Sequence, residues 1–266
     1  MIEIKEKIKN LRAKLHQLNF EYYVNDKNLI SDFDFDQLMK ELQDLEEKYP
    51  EFNDSNSPTQ RVGGQVTKNF ETIVHKERMY SLGNTYSEDE IKEWVDRITK
   101  NLDGRIPSFT CELKYDGASI NLSHSQGNLV RAVTRGDGIQ GDDVTSNIKT
   151  IPNVPLKLQG DYPDEFEIRG EIVMPLAGFE ALNKKRISNG EEPFMNPRNT
   201  ASGSLKLQDS SETAQRPLSC LLYALVGNNL GFTEHYQSLV QARSWGFMVP
   251  ETLVQANSIK NVLDYI

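Results

Sequence analysis

The sequence predicts an α+β protein: a pair of amphipathic helices, then a larger, mainly antiparallel domain. Three observations predict it. Apolar residues recur at steps of four and three through the first fifty residues, which is one helical stripe after another. From about residue 108 they alternate instead, the period of half-buried strands. The strand-like runs cluster between turn signals rather than alternating with helices, which favours antiparallel pairing over βαβ units. At 266 residues the chain has room for one large domain and a small one.

Each element has its own signal. Ile4, Ile8, Leu11, Leu15, Leu18 and Tyr22 form the first stripe, over 4–22. "NDKNLI" breaks it. Ser31 is then placed to cap a second helix, with Asp34 three residues on and Phe35, Leu38, Leu42, Leu45 and Tyr49 on one face. The two stripes predict a helical hairpin. "DSNSPTQRVGG" (54–64) reads as a linker, so a boundary is expected near residue 67, dividing the chain into 1–67 and 68–266. Beyond it, Ser87 and Glu90 mark the start of a helix over 87–99. Strands are expected at "SFTCELKYDG", "SINLSHS", "NLVRAVTR", "FEIRGEIVM" and "LSCLLYALVG", and helices at "PLAGFEALNKKRI" and "EHYQSLVQARSW".

Composition excludes several classes. A net charge of −9 and a pI near 5.1 argue against a generic nucleic-acid binder, whose domain is usually basic. The longest apolar run, 220–226, is far shorter than the ~20 residues that span a bilayer, and the N-terminus is too charged for a signal peptide. No membrane association is expected. Cys111 and Cys220 lie far apart without metal-ligand spacing, which predicts a reducing, cytoplasmic setting with neither zinc nor disulfide.

Five stretches carry candidate chemistry. In "CELKYDG", a single strand would turn Phe109, Cys111, Leu113 and Tyr115 to the core. Glu112, Lys114 and Asp116 would then share the other face, ~7 Å apart. Alone, that is a solvated charge pattern as readily as a lysine nucleophile flanked by acids. "TRGDGIQGDDVTSNIK" (134–149) spells G-x-G-x-x-G, yet a dinucleotide-binding Rossmann unit is rejected. The helix after the loop is confined to about 142–149, and Asp137, Asp142 and Asp143 would repel a pyrophosphate. The glycines instead shape a tight loop that aims Arg135. In "FEIRGEIV", Glu167, Arg169 and Glu171 share a face, either as a cross-strand salt-bridge ladder or with Glu171 offering a carboxylate to a ribose or a magnesium ion. "NPRNTASGSLKLQ" (196–208) is too polar and small-residued for a core segment; Arg198 and Lys206 are candidate phosphate contacts. Tyr22, Tyr23, Asp32, Phe35 and Asp36 gather at the hairpin turn, as helix-start acids or as a seat for a flat cationic ring.

Together, "SDFDFDQL", "SPTQRVGG", "SLGNTY", "CELKYDGASI", "TRGDGIQGDDVTSNI", "EIRGEI" and "NPRNTASGSL" resemble, in content and order, the bacterial NAD+-dependent DNA ligases. K-x-D-G alone is a weak signal; seven ordered motifs over essentially the whole chain are specific. The resemblance implies an ATP-grasp-like ligase nucleotidyltransferase domain behind a hairpin that grips nicotinamide mononucleotide. It implies that Lys114 takes AMP from NAD+, releases the mononucleotide and passes AMP to the 5′-phosphate of nicked double-stranded DNA for sealing, with Mg2+ as a further cofactor. Glu112, Arg135, Glu171 and the pair Ser81–Leu82 match AMP-pocket positions. Asp32 and Asp36, with Tyr22, match the mononucleotide grip, Tyr23 and Phe35 stand at further positions of it, and Arg198 and Lys206 are the expected DNA contacts. No side chain is assigned to metal, and a monomer is expected.

Tyr23 stands where many members carry histidine, Phe35 where many carry tyrosine, and Lys206 where arginine is usual. The family's later D-G-V-V-I-K strand, a further lysine-bearing strand, and its zinc, helix–hairpin–helix and BRCT modules do not occur before Ile266, so a C-terminally truncated region is expected. The alternatives are an ATP-dependent ligase or capping-type nucleotidyltransferase, and a noncatalytic nucleotide-binding module.

Overall fold

The computed structural model describes residues 2–25, 27–62, 67, 69–227 and 230–266. Helix α1 runs Ile2–Tyr23 and α2 Asp32–Lys48. Ser31 is extended and its hydroxyl accepts the Asp34 N–H at 3.1 Å, capping α2 as its spacing requires. Ile8, Leu11, Leu15 and Leu42 bury together between the helices, with Phe35, Leu38 and Leu45 against them. The expected break at 25–30 and boundary near 67 each fall partly outside the described residues.

The stretch read as a linker is structured as far as Val62. Two 3-10 turns, Pro50–Phe52 and Pro58–Val62, fold it against the helix pair around a buried carboxylate. Glu46 accepts from Arg12 Nε at 2.7 Å, Ser57 Oγ at 2.7 Å and Thr59 Oγ1 at 2.5 Å. Removing one partner of such a group strands the others away from water. Glu46→Ala is therefore expected to destabilise the helix pair by about 3–5 kcal/mol; denaturant unfolding checks this, and a loss below about 1 kcal/mol would show that water replaces the carboxylate.

Beyond it, the fold is mixed helix and antiparallel sheet. Strands β1 (Thr72–Val74), β2 (Phe109–Cys111), β3 (Ala118–Ser125), β4 (Asn128–Thr134), β5 (Gln140–Asp142), β6 (Glu165–Val173), β7 (Ser219–Val226) and β8 (Val254–Ala256) form three sheets. The main one runs β4-β3-β6-β7, with β1–β5 and β2–β8 as two-stranded satellites. The interstrand pairings among the described residues are antiparallel. That excludes the βαβ crossover a Rossmann unit needs. The remaining helices are α3 (Glu88–Asn101), α4 (Thr145–Ile148), α5 (Leu176–Ser188), α6 (Pro197–Ser204), α7 (Ser210–Ala214), α8 (His235–Ser244) and α9 (Ile259–Tyr265).

Pleating sends alternate residues to opposite faces. One face of the main sheet, with Ile120, Leu122, Ile168, Ile172 and Leu222, meets Leu239, Ala242, Trp245 and Phe247 in the principal core. The other face carries Ser119, Asn121, Ser123, Glu167, Arg169 and Glu171. Residues 196–208, expected to stay out of the core, form α6 instead. Its Ala201 and the following Leu205 are fully buried, because small residues let a helix lie close against the sheet. Asn196 caps it and Pro197 occupies its first turn.

A buried histidine, His124, and a half-buried one, His16, should make the fold acid-sensitive. His124 lies parallel to Phe166 at 5.4 Å and edge-on to Phe247 at 5.1 Å. Burial lowers its pKa from 6.5 to about 4. Burial, then Arg61 and Lys157, lower His16 equally, to about 4. The unfolded chain takes up these protons near pH 6.5 and the native one only near 4, so stability present above pH 6.5 is lost across that window. The full loss is up to about 3 kcal/mol per histidine. Unfolding midpoints between pH 7 and 5 should fall, and His16→Gln should flatten its share of the slope.

Candidate active site

Strand β2 stops at Cys111 because its partner β8 begins at Val254, the residue opposite. Residues 112–117 leave the ladder and cross to β3, whose Ala118 pairs with Ile172. The alternation expected through Tyr115 therefore ends early, and Leu113 is 51% exposed rather than in the core. The acid–amine–acid order lies on a segment connecting two sheets. Both acids are tied down by residues in the first turns of helices: Glu112 Oε1 lies 2.8 Å from His235 Nε2 on α8, and Asp116 accepts from Arg198 Nη1 at 2.6 Å on α6. Lys114, exposed between them, makes no ion pair among the described residues.

Gly117 then brings the chain against β6. Its N–H donates to Glu171 Oε1 at 3.1 Å, and Ser119 Oγ donates to Oε2 at 2.7 Å across the Ser119–Glu171 register pair. Each carboxylate oxygen keeps lone-pair capacity for a further donor. Arg135 joins from β4's end, its N–H bonded to the Ser119 carbonyl at 3.1 Å. On β7 the register slips between Arg169 and Gly170, which leaves Tyr223 as the extra residue. Burial raises the Tyr223 phenol pKa above the usual value, and the nearby Glu171 carboxylate raises it further.

The Glu167–Arg169–Glu171 face is not a salt-bridge ladder. Glu167 accepts from Asn121 Nδ2 at 2.8 Å and Ser123 Oγ at 3.1 Å, while Arg169 Nη2 donates to the Glu77 carbonyl at 2.6 Å. The glycine-rich loop is a tight antiparallel turn: Gly136 (φ +55°) and Gly138 (φ +90°) adopt backbone that side chains disfavour. The Met79 N–H donates to the Gly138 carbonyl at 2.8 Å, so the exposed Ser81–Leu82 stretch begins beside this loop. Lys206 pairs with Asp142 at 2.7 Å.

At the far end of the helix pair, Tyr22 and Tyr23 meet edge-on at 4.9 Å, with Asp32 close enough to raise the Tyr23 pKa after burial and Tyr22. Ser31 does the capping, so Asp32 and Asp36 remain exposed acids, while Phe35 packs inward on the helix pair's core. Among the described residues no three His, Cys, Asp or Glu side chains are placed to hold a metal ion. No helix there is long and apolar enough to cross a membrane.

Sequence reading missed Ser119, Tyr223 and His235. A hydroxyl two residues after the glycine of K-x-D-G marked the first, and a histidine in the first turn of a predicted helix marked the last. Tyr223 carried no signal, since only the strand irregularity distinguishes it.

Residues 67–266 match the family described as NAD-dependent DNA ligase adenylation domain, and residues 1–63 match DNA ligase-like, N-terminal NAD+-binding domain. The chain belongs to the NAD-dependent DNA ligase adenylation domain family. A protein named DNA ligase from Christiangramia forsetii is 60% identical over 265 residues, covering 100% of this chain and 40% of that protein. One from Flavobacterium johnsoniae is 58% identical with the same coverage, and one from Cytophaga hutchinsonii 44% identical over 98% of this chain and 39% of its own. The chain thus spans about 40% of the length of the curated relatives it matches. In this adenylation domain the G-x-G-x-x-G letters mark the tight turn from β4 to β5 that follows Arg135, where one antiparallel bridge joins Val133 to Asp143.

Proposed function

We propose that residues 1–67 form the nicotinamide-mononucleotide-gripping hairpin, and residues 68–266 an ATP-grasp-like nucleotidyltransferase domain, of a DNA ligase that consumes NAD+. Lys114 Nζ, once deprotonated, attacks the α-phosphorus of NAD+. A P–N bond forms, the pyrophosphate P–O bond breaks, and nicotinamide mononucleotide leaves with the bridging oxygen. The 5′-phosphate of nicked DNA then attacks the same phosphorus, releasing the lysine, and the 3′-hydroxyl displaces AMP to seal the strand.

The observation that carries this reading is the Gly117–Ser119–Glu171 cluster reached directly from Lys114. A carboxylate held by two fixed donors is pre-oriented toward a ribose hydroxyl, and preorganisation of this kind is most of what phosphoryl transfer asks of a protein. Glu112, steadied by His235, and Arg135 complete the AMP pocket with Ser81 and Leu82. Tyr22, Tyr23, Asp32, Phe35 and Asp36 take the mononucleotide half. Arg198 and Lys206, exposed despite their ion pairs, exchange those partners for DNA phosphates. Among the described residues no side chains form a metal cage of their own, so Mg2+ would be held by one or two carboxylates together with substrate phosphates. It would arrive with the dinucleotide and supply positive charge. The protein acts as a cytoplasmic monomer.

The test is intact mass after NAD+ with Mg2+, beside an ATP arm, on residues 1–266 and on a longer form of the chain. AMP mass from NAD+ alone is expected, more completely in the longer form. Asp32→Ala and Asp36→Ala should weaken loading from NAD+ by about 5- to 150-fold, the factor for ~1–3 kcal/mol of lost hydrogen bonding. Both should spare sealing of pre-adenylated nicks. Equal losses in the two assays would make the acids structural, and loading from ATP would move the protein to the other nucleotidyltransferase class.

A further inference from the structure

The stretch "SPTQR" (57–61) carries none of the roles assigned above, yet hydrogen bonds fasten it in two directions. Upstream it is tied to the helix pair. Ser57 Oγ and Thr59 Oγ1 donate to Glu46 of α2, and Arg12 of α1 donates to the Phe52 carbonyl at 2.7 Å. Downstream it is tied to the sheet body. Arg61 Nη1 donates to the Ile151 carbonyl at 2.7 Å and Nη2 to the Val154 carbonyl at 2.8 Å. Lys149 Nζ reaches back to the Ser55 carbonyl at 2.6 Å. The anchor is rigid: Ile148, Ile151 and Val154 are fully buried in the principal core, and the Val154 N–H closes their turn on the Ile151 carbonyl. A planar guanidinium presents its donors in a fixed fork, so two carbonyls set the direction of Arg61 as well as its distance. Its charge is also felt by Tyr23 at the end of α1, one of the residues assigned to the mononucleotide grip.

We infer that Arg61 is a positioning residue, which fixes where the helix pair sits on the sheet body and so sets the span between the mononucleotide grip and Lys114. The inference rests on the function proposed above. NAD+ is one covalent molecule held at both ends, so loading asks for the two halves of its site at a fixed separation. Adenylated DNA has already lost the mononucleotide half, so sealing makes no such demand.

Two measurements decide it. Spin labels at Lys9→Cys on α1 and Glu180→Cys on α5, both exposed positions, read the placement without reference to activity, while Cys111 and Cys220 are buried and stay unlabelled. Double electron–electron resonance should give one narrow distance in the parent and a broad distribution once Arg61→Ala is added. Lys149→Met, which removes only the outer bond, should broaden it less. In the longer form of the chain, Arg61→Ala should slow AMP loading from NAD+ on the order of 100-fold, the factor for a misplacement near 1 Å, with sealing of pre-adenylated nicks unchanged. Arg61→Lys keeps the charge without the fork and should recover part of the loading; it carries the same readouts if the alanine variant does not fold. A distribution as narrow in the Arg61 variants as in the parent would overturn the inference, as would equal losses of loading and sealing, the mark of a fold defect. A parent protein that takes no AMP from NAD+ would overturn the function proposed above instead, and the distance measurement would still decide the role of Arg61.

Discussion

Lys114→Ala is expected to abolish AMP loading from NAD+ while leaving the unfolding midpoint unchanged. Lys114 is exposed and joins no ion pair among the described residues, so its stem and charge contribute little to the fold. Its neighbours, by contrast, are fastened: Glu112 by His235 and Asp116 by Arg198. The segment is thus held at both shoulders and free in the middle, the arrangement that suits an amine which must reach phosphorus. Lys114→Arg should fail as well, since a guanidinium stays protonated and is a poor nucleophile. Intact mass and circular dichroism on the same samples check both halves of the expectation. An alanine variant that still gained AMP would remove Lys114 from the chemistry.

Gly117→Ala is expected to damage fold and loading together. A Cβ at this position would run into the carbonyl oxygen of Ile172 and lie 3.0 Å from Val173 Cγ1. The first obstacle is backbone, which cannot rotate aside. The start of β3 must therefore move off β6, at a cost of about 1–3 kcal/mol for an overpacked site. The same displacement breaks the Gly117 N–H bond to Glu171 and shifts Lys114 three residues upstream. A misplacement near 1 Å can cost about 100-fold in rate, so loading should fall by that order even where the variant remains folded. Near-wild-type loading and stability would show that the β3–β6 approach relaxes without consequence.

Elements with long repeats were legible because burial imposes the repeat. The stripes of α1 and α2, the Ser31 and Ser87 caps, and the runs that became β3, β4, β6 and β7 stand close to where periodicity and capping put them. Three of the four three-residue strands were not. β1, β5 and β8 have no internal period, and each is a strand only because a distant partner lies beside it. α6 was misread through composition: its small residues look like loop until a sheet surface closes over Thr200, Ala201 and Ser204. Asn196 followed by Pro197 was the local signal for it.

The candidate site divides in the same way. By itself the sequence determined the candidate inventory: a lysine between two acids, a following glycine, an arginine after a strand, a second acid on an alternating run, and the ordered motifs of a ligase adenylation region. Those depend on residue type and spacing over a few positions. Only the tertiary structure decided that Glu112 meets His235, that Asp116 meets Arg198, that Ser119 and Tyr223 join Glu171, and that β2 ends before Lys114. Each of these brings together groups separated by 52 to 123 positions, or hangs on where a partner strand stops. A strand ends where its neighbour runs out of backbone to pair with, and an ion pair forms where packing sets two charges within reach. Neither is written in the local sequence, because both are properties of the neighbour.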